Sequence, residues 1–266
     1  AQLTPAPADV FMIAVPTPFR SGADGISQPN IDYVLAAARA IAPVLRPGNL
    51  VLLESTSPVG TTEQVAQVIA EASGLRSEQF HIAYCPERVL PGRILQELIS
   101  NDRVIGGLTP AAAAAGQAFY ASFCQGELLA TTARIAELVK LTENSFRDVN
   151  IAFANELSLV CDQLDISVRE LIRLANHHPR VNVLQPGCGV GGHCIAVDPW
   201  FIAAAAPHCT PLIQSARRVN DGKSRWVIEQ VQSRAAALED QLGRQARIGC
   251  LGLAFKPDVD DLRESP

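Results

Sequence analysis

Leu50-Val51-Leu52-Leu53-Glu54, followed by Ser55-Thr56-Ser57-Pro58-Val59-Gly60-Thr61-Thr62 and then by Glu63 to Ala72, reads as a buried strand, a turn and a helix. The apolar run is short, unbroken and bounded by turn residues, which is how a strand inside a covered sheet is written. Thr61 or Thr62 is the expected N-cap of the helix. The same unit recurs on both sides. Residues 10–15, Val10-Phe11-Met12-Ile13-Ala14-Val15, read as a buried strand ending in Pro16-Thr17-Pro18, and Ile31 to Leu45 as a helix closed by Pro47-Gly48. Phe80 to Tyr84 reads as a third strand ending at Cys85-Pro86-Glu87-Arg88, and Arg103 to Gly107 as a fourth. Thr109 to Phe123 is an alanine-rich helix opened by Pro110. Strands alternating with helices imply an α/β domain with a doubly wound parallel sheet. Ligands gather at the carboxyl ends of strands in such sheets, where Thr17, Thr56 and Glu87 stand.

From Ile135 to Leu164 the pattern becomes one long helix. Phe146, Val149, Phe153, Leu157 and Val160 form an apolar stripe at spacings of three and four. Lys140, Asn144 and Arg147 form a polar stripe, which taken alone describes a solvated helix face. Further helices are expected from Val168 to Ala175 and from Leu212 to Leu242, the latter interrupted at Gly222. This is an all-helical unit. Ala246 to Phe255 reads as a fresh strand, followed by Lys256, Pro257 and an acidic run from Asp258 to Asp261. The expected division is an α/β domain over 1–130, a helical central domain over 131–244, and the start of a second α/β domain over 245–266. Opening on Ala1 and stopping at Pro266 after a strand-like segment, the chain is expected to be truncated at both ends.

Composition narrows the function classes. The 266 residues are 48% hydrophobic and 18% charged, which suffices for a packed core. A net charge of −5 with no basic block argues against nucleic acid or an anionic membrane as main partner. The apolar run at 10–15 is too short to span a bilayer, and no basic segment precedes it. Seven cysteines without paired spacing argue against a disulfide framework, and reduced thiols point to the cytoplasm.

Pro186-Gly187-Cys188-Gly189-Val190-Gly191-Gly192-His193-Cys194 is the stretch richest in chemistry. Its four glycines let backbone approach a ligand closely, with a thiol at the far edge and Asp198 four residues on. Gly187-x-Gly189-x-x-Gly192 also imitates a dinucleotide fingerprint, but neither a buried strand before it nor an uninterrupted helix after it supports that reading. Cys188, His193 and Cys194 lack the paired spacing of a structural zinc site. A plain loop with an inert cysteine is the remaining alternative.

Several segments then resemble one family together, in its order. These are Glu54 to Gly60, Tyr84 to Arg88, Lys140-Leu141-Thr142-Glu143-Asn144 with Asn155-Glu156, Gly189 to Cys194, and Phe255-Lys256-Pro257 through Arg263-Glu264-Ser265. The chain resembles the nucleotide-sugar 6-dehydrogenases typified by the UDP-glucose/GDP-mannose dehydrogenase family. Asn144 to Glu156 and His193 to Phe201 look most like its UDP-N-acetyl-D-mannosamine branch. Three departures stand out. The family's cofactor fingerprint lies on a strand–turn–helix that would precede Ala1, its nucleotide-binding domain is expected to be cut off after Pro266, and Cys188 stands where proline is expected.

The resemblance implies NAD as cofactor and a four-electron oxidation of a UDP-sugar at C6, through a cysteine thiohemiacetal and thioester. It implies Cys194 as nucleophile, Lys140 and Asn144 as the pair at the C6 oxygen, Asp198 beside Lys140, and Glu87 in thioester hydrolysis. Implied substrate contacts are Arg88, Val89, Arg147, His178, Arg180, Gly191, Phe255 and Lys256. Implied cofactor contacts are Thr17, Thr56, Thr62 and Arg263, and a homodimer through the central helices is expected. UDP-glucose or UDP-N-acetylglucosamine is the alternative substrate, and a non-catalytic dimerisation scaffold the alternative class.

Overall fold

The computed structural model describes residues 4–20, 22, 27–89, 92–192, 194–254, 262 and 265–266. The chain divides into two compact units, one formed by Ala1–Thr142 with Trp200–Ala206, the other by Glu143–Pro199 with Pro207–Pro266.

The first unit is built on a five-stranded sheet. Its elements in chain order are β1 (Val10–Ile13), the short β2 (Phe19–Arg20) and β3 (Gln28–Pro29), α1 (Asp32–Ile41), β4 (Leu50–Leu53), α2 (Thr61–Ser73), β5 (His81–Tyr84), α3 (Ile94–Ser100), β6 (Arg103–Gly107), α4 (Pro110–Tyr120) and β7 (Leu128–Thr132). The strand order is β1-β4-β5-β6-β7, and β2 pairs with β3 as a separate antiparallel ribbon. β1, β4 and β5 run parallel, as do β6 and β7, but β5 meets β6 antiparallel. The all-parallel expectation is corrected at that one junction. A parallel connection needs a crossover element packed on the sheet face. α3 buries none of its residues, so it does not serve as one.

The unbroken run of β4 is explained by burial on both faces. Val51 and Leu53 pack with Phe11, Ile13, Ile82 and Tyr84 beneath Val34 and Ala38 of α1 and Val65, Ala66 and Ile69 of α2. Leu50 and Leu52 pack on the other face with Ala83, Ile105 and Tyr120. β1 departs from its reading as a fully buried strand. It is an edge strand among the described residues, and Met12 is half exposed.

The second unit is helical. α5 (Ala133–Gln163) supplies residues to both units, and α6 (Val168–Ala175), the opening of α7 (Asp198–Ala205) and α8 (Pro211–Leu242) complete the set. α8 runs through Gly222 without a break, contrary to the expected interruption. An interior glycine costs only about 1 kcal/mol, and the buried Arg217, Asn220 and Lys223 around it anchor the helix. The strand expected from Ala246 does not form over residues 246–254. Leu251 is almost fully exposed, and no strand lies beside the segment among the described residues to accept its backbone bonds.

A buried polar seam joins α5 to α8. Arg217 Nη1 donates to Asp148 Oδ1 at 2.6 Å, and its Nη2 donates to Asp221. Asn220 Nδ2 donates to Asp148 Oδ1 at 2.8 Å and to its carbonyl at 3.0 Å. Lys223 Nζ donates to Ser158 Oγ at 2.8 Å and lies 3.7 Å from the Trp226 ring centroid. Burial pushes the Asp148 carboxyl up, with the Arg217 charge opposing it. Burial likewise pulls the Lys223 ammonium down. The apolar stripe on α5 faces outward in part: Phe146, Phe153 and Val160 are exposed.

Candidate active site

Within the first unit, strand register sets the positions of the candidate residues. Ile13, Leu53 and Tyr84 are in register across β1, β4 and β5, so the three parallel strands end at one sheet edge. Thr17, Thr56 and Glu87 follow within four residues of those ends. The turns are stitched together: Ser55 Oγ accepts from Val15 N at 2.8 Å, and Glu54 N donates to Ile13 O at 2.9 Å. Of the hydroxyl side chains from Ser55 to Thr62, Ser55, Ser57, Thr61 and Thr62 are buried and bonded internally. Thr56 is half exposed, as is Thr17, and both can meet a ligand.

The Thr62 side chain is fully buried and donates to Glu137 Oε1 at 2.6 Å. The Glu137 carboxylate also accepts from Thr62 N at 2.8 Å and from Gly60 N at 2.6 Å. It occupies the start of α2, where free backbone amides would otherwise attract an anion. Gly60 is the N-cap, with a φ of 95° that only glycine adopts easily, so neither Thr61 nor Thr62 holds that position. Burial pushes the Glu137 carboxyl up, although its bonds to Thr62 and Gly60 pull the other way. In sequence Glu137 looked like one more polar residue on a long helix.

Lys140, half buried on α5, donates through Nζ to the Glu87 carbonyl at 2.7 Å. The Glu87 side chain turns back on its own loop and accepts from Val89 N at 2.6 Å. Arg88 Nη1 donates to the Asp102 carbonyl at 3.2 Å, so its guanidinium is directed toward the start of β6. A neighbouring cluster was not read from the sequence. Tyr120 OH donates to Glu54 Oε1 at 2.6 Å, and the Arg103 guanidinium stacks 4.6 Å from the Tyr120 ring centroid. Burial pushes the Glu54 carboxyl up, and the bond from Tyr120 opposes it. Burial also raises the Cys85 thiol, with Tyr120 and Arg103 opposing it.

Within the second unit, Asn144 Nδ2 donates to Asp198 Oδ2 at 2.5 Å, and both side chains are buried. Asp198 opens α7, with Pro199 in the first turn, where a missing N–H is tolerated. The proline that argued against a helix here therefore marks its start. The Cys194 carbonyl accepts from Val197 N at 3.1 Å and Asp198 N at 2.9 Å, and Cys194 itself is exposed. The thiol thus sits on a tight turn whose closing residue is the acid paired with Asn144. Lys140 and Asn144 lie one turn apart on α5.

Arg147, His178 and Arg180 are exposed, and Gly191 is partly so. His178 and Arg180 ride on a loop closed by Asn176, whose side chain donates to Val183 O at 3.0 Å and accepts from Val183 N at 2.7 Å. Phe255, Lys256 and Arg263 lie outside the described residues, as does His193.

The comparisons with known proteins agree with this architecture. Residues 1–124 match the NAD binding domain of the UDP-glucose/GDP-mannose dehydrogenase family, and residues 134–222 match its central domain. A UDP-N-acetyl-D-mannosamine dehydrogenase of Yersinia pestis is 58% identical, over 98% of this chain and 64% of its own length. An NDP-N-acetyl-D-galactosaminuronic acid dehydrogenase of Ralstonia nicotianae is 54% identical, over 100% of this chain and 63% of its own length. The structure of a UDP-D-ManNAc dehydrogenase from Pyrococcus horikoshii superposes with a TM-score of 0.89 at 42% identity, covering 98% of this chain and 61% of that one. The chain thus spans a little under two thirds of the relatives it matches. With both of the family's domain models matched in order, the chain belongs to the UDP-glucose/GDP-mannose dehydrogenase family.

Proposed function

We propose that this protein carries out the NAD-dependent oxidation of UDP-N-acetyl-D-mannosamine at C6, from alcohol through aldehyde to carboxylate. The observation that carries the reading is the Cys194 turn: an exposed thiol whose turn closes on Asp198, itself bonded to Asn144. Thr17 and Thr56, accessible at the ends of β1 and β4, fit a dinucleotide and would hold it; NAD supplies the hydride acceptor for both oxidations. The Cys194 thiolate adds to the aldehyde carbon and forms a thiohemiacetal. After the second oxidation a thioester remains, and water releases the acid and restores the thiol. A thiol serves both as nucleophile and as leaving group. Asn144 and Lys140, one turn apart on α5, would donate to the C6 oxygen as negative charge develops there. Asp198 fixes the orientation of the Asn144 amide, and Glu87 would activate the hydrolytic water. Arg88, Val89, Arg147, His178, Arg180, Gly191, Phe255 and Lys256 are proposed substrate contacts, the cationic ones suited to a diphosphate. Thr62 and Arg263 are also proposed to contact the cofactor.

The protein is proposed to work as a homodimer in the cytoplasm. Phe146, Phe153 and Val160 repeat every seven residues on α5 and are left exposed, which suits a second copy of the helix. No disulfide joins the seven cysteines, and among the described residues no helix is long and apolar enough to cross a membrane.

The test is NADH formation by the intact protein on UDP-N-acetylmannosamine, UDP-glucose and UDP-N-acetylglucosamine. Faster turnover of the first supports the proposal; equal or better rates on UDP-glucose overturn the substrate assignment. Cys194→Ala is expected to lower acid formation by at least about a thousandfold. Full acid output from that variant rules out the covalent route.

A further inference from the structure

We propose that Asn155 and Ser224 are positioning residues that fix the entry to the glycine loop and thereby aim Cys194; this rests on the reading of Cys194 as the nucleophile.

Asn155 and Asn220 are both completely buried between α5 and α8, where an amide without partners would be costly. Their orientations follow from one charge. Arg217 holds Asp148, and a carboxylate can only accept. The Asn220 Nδ2 group must therefore face Asp148, which turns Asn220 Oδ1 toward Asn155. Asn155 Nδ2 donates to that oxygen at 2.9 Å, which leaves Asn155 Oδ1 facing the loop. There it accepts from Gly187 N at 2.9 Å. The polarity of a buried ion pair is thus relayed through two amides to one backbone N–H at the start of the glycine loop.

A second tie lies one turn along α8. Ser224 Oγ donates to the Cys188 carbonyl at 2.9 Å. Gly189 follows with a φ of 152°, and a Cβ there would lie only 2.4 Å from Ser224 Oγ. Loop and helix touch at that point, so any side chain at Gly189 would displace the serine. Gly187, Cys188 and Gly189 are therefore tied to α5 and α8 on one side of the thiol. On the other side the Cys194 carbonyl is tied to the amides that open α7. A nucleophile misplaced by about 1 Å can lose about a hundredfold in rate, so such ties act on the chemical step.

The experiment compares the intact protein with Ser224→Ala, Ser224→Thr and Asn155→Ala. Steady-state NADH formation is measured together with the rate at which iodoacetamide labels Cys194, mapped by peptide. Ser224→Ala is expected to lower kcat about tenfold with KM within about twofold, because the loop is misaligned without loss of sugar contacts. Its Cys194 labelling rate is expected to change by about threefold or more while Cys209 and Cys250 stay as they were. Ser224→Thr keeps a hydroxyl and is expected to restore both values. Asn155→Ala is expected to act in the same direction and more strongly. If it does not fold, the two serine variants decide. A folded Ser224→Ala with unchanged kcat and labelling, or a Ser224→Thr no better than alanine, overturns the proposal. If the wild type makes no NADH from any sugar, the catalytic reading fails, and the labelling comparison alone still decides whether these residues set the thiol's surroundings.

Discussion

The sheet unit and the helical unit solve burial in opposite ways. Around β4, Leu50 to Leu53 alternate between two apolar clusters, and the buried charge beside them is the Arg103 guanidinium stacked on Tyr120. Between α5 and α8 the contact is polar, with Asp148, Asn155, Arg217, Asn220 and Lys223 all buried. An apolar core tolerates the loss of a methylene group because its neighbours partly close the gap. A charged seam does not, since removing one partner strands the other. Both units are therefore expected to lose stability on truncation, but only in the helical unit should removing the second charge restore it.

The largest effect expected from this contrast is at Asp148. Asp148→Ala takes from Arg217 its buried partner, leaving only the exposed Asp221, removes an acceptor from Asn220, and is expected to cost about 3–5 kcal/mol in denaturant unfolding. The double variant Asp148→Leu with Arg217→Met removes both charges and is expected to regain at least half of that. If the double variant is as unstable as the single one, stranded charge is not what distinguishes the seam. Leu52→Ala, in the apolar cluster beneath α4, is the comparison from the sheet unit at about 2–5 kcal/mol, and no second substitution is expected to rescue it by neutralising a charge.

A smaller effect is expected where the sheet unit does hold a buried charge. Glu137 receives two amides and a hydroxyl at the start of α2. Glu137→Gln turns an acceptor into a donor facing one of those groups and is expected to cost about 1–3 kcal/mol. The pH dependence sharpens the point. The folded protein holds this carboxyl above its ordinary value of 4.5, chiefly through burial. The native state therefore binds the proton more tightly than the unfolded chain does. Glu137's titration contributes stability that is fully present below pH 4.5 and is lost as pH rises through the raised value. The advantage of wild type over Glu137→Gln should accordingly shrink between pH 4.5 and 7. An advantage that grows over that range would mean that the bonds from Thr62 and Gly60 outweigh burial.

The same contrast explains what the sequence disclosed. Apolar periodicity announced β4, β5, α1 and α4 and hence the α/β class, because burial in a covered sheet leaves an unbroken run of letters. The position of Thr56 and Glu87 beyond strand ends followed from that alone. The antiparallel junction at β6 was not visible, since a strand's letters do not record its direction. α7 is hidden in the sequence because Pro199 reads as a breaker unless it falls in the first turn, where Asp198 places it. The polar seam was hidden for a deeper reason. Asp148, Asn155, Arg217 and Asn220 have the spacing of a solvated helix face, and only the partner helix turns that face inward. The Cys194 loop showed its chemistry but not its ties, because Asn155 and Ser224 lie 32 and 36 residues from the atoms they hold.

The smallest effect is expected one turn before Glu137 on the same helix. Arg134 binds Glu63 with two bonds of 2.7 Å, and the ion pair joins α5 to the first turn of α2, as Glu137 does. By count of bonds the two links are close, two against three. They differ in exposure: the Arg134 and Glu63 side chains are 63% and 44% exposed, whereas Glu137 is fully buried. Water replaces the lost partner when an exposed arginine is truncated, and salt screens what attraction remains. The bonded arginine does hold the Glu63 carboxyl below its ordinary value, but an exposed shift of this kind adds little to folding. Arg134→Ala is therefore expected to leave the denaturation midpoint unchanged within error in physiological salt. A loss matching that of Glu137→Gln would show that the number of bonds between α5 and α2, and not their burial, ties the two helices, and the contrast between buried and exposed charge would fail at the place where it is most closely matched.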